Sequence, residues 1–88
     1  MFRIHFRTVG VSPNFTFAAS GHQDGGLRFW DLSTGQLVYT IPKLHLKHIT
    51  SIVFDIRNGN TVLCSSKDNT MSLVDTRTYE ILQVCDMK

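Results

Sequence analysis

The feature that most constrains this chain is an internal repeat with a spacing of 44 residues. Asp24 recurs as Asp68 and Asp31 as Asp75, so two aspartates seven positions apart return in register. The stretch from Gln23 to Asp31 lies over the stretch from Lys67 to Asp75, turn residues over turn residues and apolar positions over apolar positions. Self-similarity at this period marks a chain built from repeated supersecondary units, each of which needs a neighbour to bury its apolar face.

Within each unit, short runs of aromatic and β-branched residues alternate with turn residues about every ten positions, which predicts an antiparallel meander. Helical periodicity is absent. In the first unit the expected strands are Phe6 to Val11, Phe15 to Gly21, Leu27 to Asp31 and Gln36 to Ile41. Ser12-Pro13-Asn14, Gln23 to Gly26 and Ser33-Thr34-Gly35 supply the turns between them. The second unit repeats the order with Ile49 to Ile56, Thr61 to Ser66, Thr70 to Asp75 and Glu80 to Asp86. Its turns include Arg57 to Asn60 and Lys67 to Asn69. Between the units lies the connection Pro42 to His48, where Pro42 blocks continuation of the fourth strand. The fold class is therefore all-β, eight strands in two groups of four.

Composition limits the chemistry. Eighty-eight residues form at most one small domain and bury about 60 to 65% of their unfolded surface. A net charge of +2 with 18% charged residues leaves no block of like charge to bind a polyanion, so no nucleic-acid partner is expected. No segment has the ~20 apolar residues of a membrane span and the N-terminus has no signal-peptide core, so a cytoplasmic protein is expected. Cys64 and Cys85 are read as two small buried hydrophobes rather than a disulfide. Asn14-Phe15-Thr16 fits a glycosylation acceptor but is read as a turn.

Leu27-Arg28-Phe29-Trp30-Asp31 followed by a Ser-Thr-Gly turn resembles the WD-repeat (WD40) signature, and the resemblance covers nearly the whole chain. It implies that each unit is one four-stranded blade of a β-propeller: blade one over about 2–41, the connection 42–48, and blade two over about 49–86. It also implies a hydrogen-bonded set in each blade, made from a turn aspartate, a Ser or Thr on the second strand, the tryptophan, and a histidine from the preceding connection. Ser20, Asp24 and Trp30 occupy three of these places in the first blade, with the histidine place falling near Phe2. In the second blade His45 and Asp68 fit, while Val74 stands for the tryptophan and Leu44 for the glycine usual before the histidine. Asp31 and Asp75 complete the expected structural positions.

The longer match, Ser20-Gly21-His22-Gln23-Asp24 through Trp30-Asp31 and then Val74 to Thr78, is similar to consecutive blades of the autophagy-related protein sixteen family. That resemblance implies a scaffold linked to autophagosome assembly. In that family a separate helical region binds the machinery that attaches ubiquitin-like proteins to lipid, so contact with membranes would be peripheral and through complexes. A WD-repeat subunit of an unrelated complex and a non-functional truncated fragment are the alternatives.

No enzyme is expected. His45 and His48 lie close together, but a tetrahedral zinc site needs four ligands and neither cysteine has a partner nearby. Ser65-Ser66-Lys67-Asp68 matches the repeat's hairpin turn rather than a catalytic Ser-Lys pair, and the glycines around Asp24 lack the Lys-Ser/Thr ending of a phosphate loop. No cofactor is expected. The partners are other proteins, and Gln23, Lys43, Lys47, His48 and Lys67 are the candidate docking residues, set on turns and on the connection. Because blades bury both faces, two of them leave an apolar face uncovered at each end. The expectation is a truncated product, a split gene fragment, or a subunit that closes only by assembling with itself or with another chain that supplies further propeller blades.

Overall fold

The computed structural model describes residues 6–87. It holds two four-stranded antiparallel sheets and, among the described residues, no helix. The first sheet contains β1 (Phe6–Val11), β2 (Phe17–His22), β3 (Leu27–Asp31) and β4 (Gln36–Ile41), paired in sequence order. The second repeats the pattern with β5 (Ile49–Phe54), β6 (Thr61–Ser66), β7 (Thr70–Asp75) and β8 (Ile81–Asp86). The start assigned to blade one at residue 2, and the histidine place near Phe2, lie outside the described residues.

The repeat reaches into irregular detail. The β3/β4 ladder slips between Phe29 and Trp30, and the β7/β8 ladder slips between Leu73 and Val74, 44 positions later. Left-handed backbone recurs the same way. Phe15 (φ 60°) matches Gly59 (72°), Gly25 (86°) matches Asn69 (67°), and Gly35 (73°) matches Tyr79 (62°). One member of each pair is glycine, the residue that adopts this region without steric cost.

Four strand boundaries differ from expectation, one of them the end of β2, which runs one residue further to His22. β2 starts at Phe17 because Phe15 is left-handed and belongs to the turn. β5 stops at Phe54, and the chain turns at Asp55, whose carbonyl accepts the Gly59 amide. β8 starts at Ile81, after Tyr79 closes the preceding turn on the Asp75 carbonyl.

Blade one lays β1 and β2 against β5 of blade two. The buried cluster is shared between the sheets: Ala19, Leu27, Phe29 and Ile41 from the first, Ile49, Ile52, Phe54, Val62, Cys64 and Val74 from the second. Close approach depends on Gly21, where a Cβ would fall 2.6 Å from Ile49 Cγ2. Alternation along each strand sends the other side chains outward. Val9 and Val11 on blade one, and Val53 and Leu63 on blade two, are exposed on the sheets' outer faces. Cys64 is buried as expected, but Cys85 is exposed, because nothing covers β8, where every residue is exposed. Both thiols are free.

Candidate functional site: the turn end of the two blades

The antiparallel order puts the β2/β3 turn, the β6/β7 turn and the β4/β5 connection at one end of the molecule. Hydrogen bonds tie the three together. The His45 amide donates to the Gly25 carbonyl, and the Lys67 amide donates to the His48 carbonyl. Ser66 Oγ lies 3.0 Å from the carbonyls of both Lys47 and His48. Gly25 is required here on two counts. Its φ is left-handed, and a Cβ would lie 1.9 Å from the His45 carbonyl oxygen.

On this scaffold Gln23, Lys43, Lys47 and Lys67 are exposed and His48 is half-buried. The seam between the turns thus carries the chain's candidate docking residues on one end, with the exposed Asp24 among them. Asp24 also fixes its own turn by accepting the Gly26 amide at 2.9 Å.

Behind the turns sit two polar clusters that differ between the blades. In blade one the Trp30 indole donates to Ser20 Oγ at 2.8 Å, and Ser20 Oγ lies 2.8 Å from His22 Nε2. The hydroxyl thus joins the indole to the imidazole. The histidine of this cluster is therefore on β2 itself, two residues from Ser20 on the same face. Period-two alternation within Ser20-Gly21-His22 was the signal that could have found it.

In blade two the cluster centres on His45, whose side chain is 1% exposed. Its Nδ1 lies 2.8 Å from Thr70 Oγ1 and 3.4 Å from Asp68 Oδ2, and its Nε2 lies 2.9 Å from Ser72 Oγ. Thr70 gives its hydroxyl proton to Asp68 Oδ1. With its own proton given to Asp68, Thr70 Oγ1 is left to accept from the His45 Nδ1–H. Cys64 and Val74 stand where blade one has Ser20 and Trp30, so a hydroxyl–indole pair is replaced by an apolar one. Thr70 and Ser72 alternate on the same face as Val74, the pattern from which sequence reasoning could have named them.

Asp68 holds the connection as well as the turn, accepting the Leu46 amide on Oδ2 and the Thr70 amide on Oδ1, both at 2.9 Å. Burial pushes its carboxyl up, but the bonds from Thr70 and Leu46 and the neighbouring His45 outweigh this and hold it well below the usual carboxylate range. Asp31 and Asp75 lie at the opposite end, where they cap turns. Asp31 accepts Ser33 Oγ at 2.6 Å and the Ser33 amide at 2.8 Å, and Asp75 accepts the amides of Arg77 and Thr78 at 2.7 and 3.1 Å. These bonds lower both carboxyls. Burial pushes the Cys64 thiol up to about 12, so it is inert as a nucleophile or ligand. Among the described residues no group of three or more His, Cys, Asp or Glu side chains is placed to hold a metal ion.

The arrangement can present charged turns from a rigid seam. Its two buried histidines, His22 and His45, are both hydrogen-bonded within the chain.

No model of a known protein family matches the chain. It is 47% identical over 81 residues to autophagy-related protein 16 of Arabidopsis thaliana, covering 92% of the chain and 16% of that protein. It is 37% identical over 68 residues to protein tipD of Dictyostelium discoideum, covering 77% of the chain and 11% of that protein. It is also 35% identical over 82 residues to eukaryotic translation initiation factor 3 subunit I of Scheffersomyces stipitis, covering 86% and 23%. The chain thus spans under a quarter of the length of each of these relatives. Among solved structures it superposes on the β-propeller domain of Cps50 (Swd1) from Myceliophteria thermophila with a TM-score of 0.90, at 24% identity, over 100% of the chain and 26% of that domain chain.

Proposed function

We propose that this chain, two WD-repeat blades of a β-propeller, is part of a protein-interaction scaffold that works in autophagy in the cytoplasm. The observation that carries this reading is the 47% identity to autophagy-related protein 16 across 92% of the chain. The end bearing Lys43, Lys47, Lys67, Gln23 and His48 is the docking surface, and it receives acidic segments of partner proteins. Its loops are exposed while their backbone is held by Gly25, Ser66 and Asp68, so little ordering entropy is lost when a partner binds.

A second reading has its own support in the 35% identity to an initiation factor subunit, which makes the chain a scaffold piece of a translation complex. A segment exchange separates the two. The 88-residue chain replaces the matching segment of the Arabidopsis autophagy protein in cells lacking it, and of the yeast initiation factor subunit in cells lacking that. Restored autophagic degradation with failed growth in the second host is the expected result, and the reverse overturns the proposal. In the first host, Lys47→Glu with Lys67→Glu is expected to lower partner recovery at least about tenfold, the effect of losing charge-assisted contacts. Unchanged recovery removes this face from the reading.

A further inference from the structure

Asn58-Gly59 is the one asparagine–glycine step in the chain, since Asn14, Asn60 and Asn69 are followed by Phe15, Thr61 and Thr70. It lies in the β5/β6 turn, with Asn58 exposed and Gly59 half-buried. An asparagine before glycine has an internal reaction open to it. The next backbone nitrogen attacks the side-chain carbonyl carbon, and glycine has no Cβ to stand in the way.

The turn prepares one half of that reaction and blocks the other. Asn58 Oδ1 accepts the Asn60 amide at 2.8 Å. A backbone N–H on this oxygen draws electron density from Cγ and stabilises the oxyanion that forms when Cγ is attacked. The nucleophile is held back. The Gly59 amide donates to the Asp55 carbonyl at 2.8 Å, and a nitrogen committed to that bond keeps the proton it must lose. Thr76 Oγ1 fastens the same residue from the next turn by donating to the Gly59 carbonyl at 2.6 Å. Asp55 braces the loop in between, accepting the Arg57 amide at 2.9 Å and its guanidinium at 3.0 Å.

The position matters because Gly59 is where this turn of blade two meets blade one. A Cβ there would lie 3.1 Å from Pro13 Cδ and 3.7 Å from Ser12 Cβ. A change in the main chain at residue 58 is therefore felt at the seam.

We propose that Asn58 is a self-modification site latched by the fold, which converts to aspartate and isoaspartate when the Gly59–Asp55 bond opens and thereby loosens the blade junction. The Gly59 nitrogen bonds to Asn58 Cγ, the Cγ–Nδ2 bond breaks, and ammonia leaves with the amide proton, giving a succinimide. Water, the co-reactant, then adds to one ring carbonyl and breaks that carbonyl's bond to nitrogen. Opening at Cγ gives aspartate, and opening at the main-chain carbonyl gives isoaspartate. No electrons are exchanged. Isoaspartate routes the main chain through one extra carbon, lengthening a turn set against Pro13, and either product adds a carboxylate near Asp55. The site is independent of the lysine-bearing end.

The test is timed mass spectrometry of the 88-residue chain kept at pH 8, folded or in urea, with fragment spectra locating each amide converted to acid. In urea Asn58 should convert ahead of Asn14, Asn60 and Asn69. In the folded chain its conversion should be at least about tenfold slower, because the turn must first open. Thr76→Val removes the donor on the Gly59 carbonyl and should raise the folded-state rate at least about threefold while leaving the urea rate unchanged. Thr76→Ser keeps the hydroxyl and should restore the parent's rate. The isoaspartate form should melt below Asn58→Asp, which carries the same charge on an unaltered main chain. Equal rates in the folded and unfolded parent would show that there is no latch. That result, earlier conversion at another asparagine, a Thr76→Val rate equal to the parent's, or an isoaspartate form as stable as Asn58→Asp overturns the proposal.

Discussion

Tyr39 on β4 of blade one and Tyr79 in the β7/β8 turn of blade two stack with ring centroids 4.2 Å apart and planes 4° from parallel. Tyr79 also meets Phe29 at 5.1 Å in a tilted contact. One side chain thus clasps both blades, and it does so from a left-handed backbone position where blade one has Gly35. The strain of about 1 to 2 kcal/mol for a non-glycine residue there is set against an inter-blade aromatic cluster.

This predicts an order of stability in which the parent exceeds Tyr79→Gly, and Tyr79→Gly exceeds Tyr79→Ala. Both variants lose the stack, at about 2 kcal/mol, but alanine keeps the backbone penalty that glycine relieves. Urea unfolding of the three proteins measures it. A glycine variant more stable than the parent would mean that strain outweighs the clasp.

Gly25 and Gly35 both have positive φ, at 86° and 73°, but only Gly25 also faces a steric wall. Around Gly35 nothing lies within 4 Å of an added Cβ. Gly35→Ala should therefore cost about 1 kcal/mol, the backbone term alone. Gly25→Ala must also push the His45 carbonyl aside and should cost at least about 3 kcal/mol. Thermal melts of both variants give the comparison, and equal losses would refute the close approach of turn and connection.

The aspartate pairs 24/68 and 31/75 made the blades legible because each caps a turn locally, by bonds two or three residues along the chain. Such bonds leave a trace in spacing. The ends of β2 and β5 were misplaced because Phe15 and Ile56 carry strand-like side chains on turn backbone, and apolar character alone does not separate the two. The Ser72–His45 bond spans 27 residues and the Tyr39 stack on Tyr79 spans 40. The first joins the connection to β7 within blade two, and the second arises from how one sheet seats on the other, which no local pattern encodes.

Cys64 and Cys85 differ in environment and should differ in reactivity. Burial lifts the Cys64 thiol to about 12, whereas Cys85 is exposed on β8. A thiolate-selective reagent at pH 8 should modify one thiol per folded chain, at Cys85, and both after denaturation. Peptide mapping locates the label. Rapid labelling of Cys64 in the folded chain would place it outside the core shared by the blades.

Asp68 makes the junction of turn and connection acid-sensitive, and the sign follows from its depressed pKa. Folding lowers the carboxyl below its unfolded value of about 3.9, so its contribution is fully present above that pH and is lost as pH falls through the folded value. Asp31, Asp55 and Asp75 are lowered too and act in the same direction. The melting temperature should therefore fall steadily from pH 5 to pH 2. Asp68→Asn keeps an oxygen for Thr70 but loses the charge shared with Leu46 and His45. It should lower the midpoint at pH 7 by about 4 to 8 °C, the shift for roughly 1 kcal/mol in a domain of this size. Its acid slope should be shallower than the parent's without vanishing, since three lowered carboxyls remain. Melts across that pH range decide the matter, and parallel slopes for the two proteins would show that Asp68 titrates alike in the folded and unfolded chain.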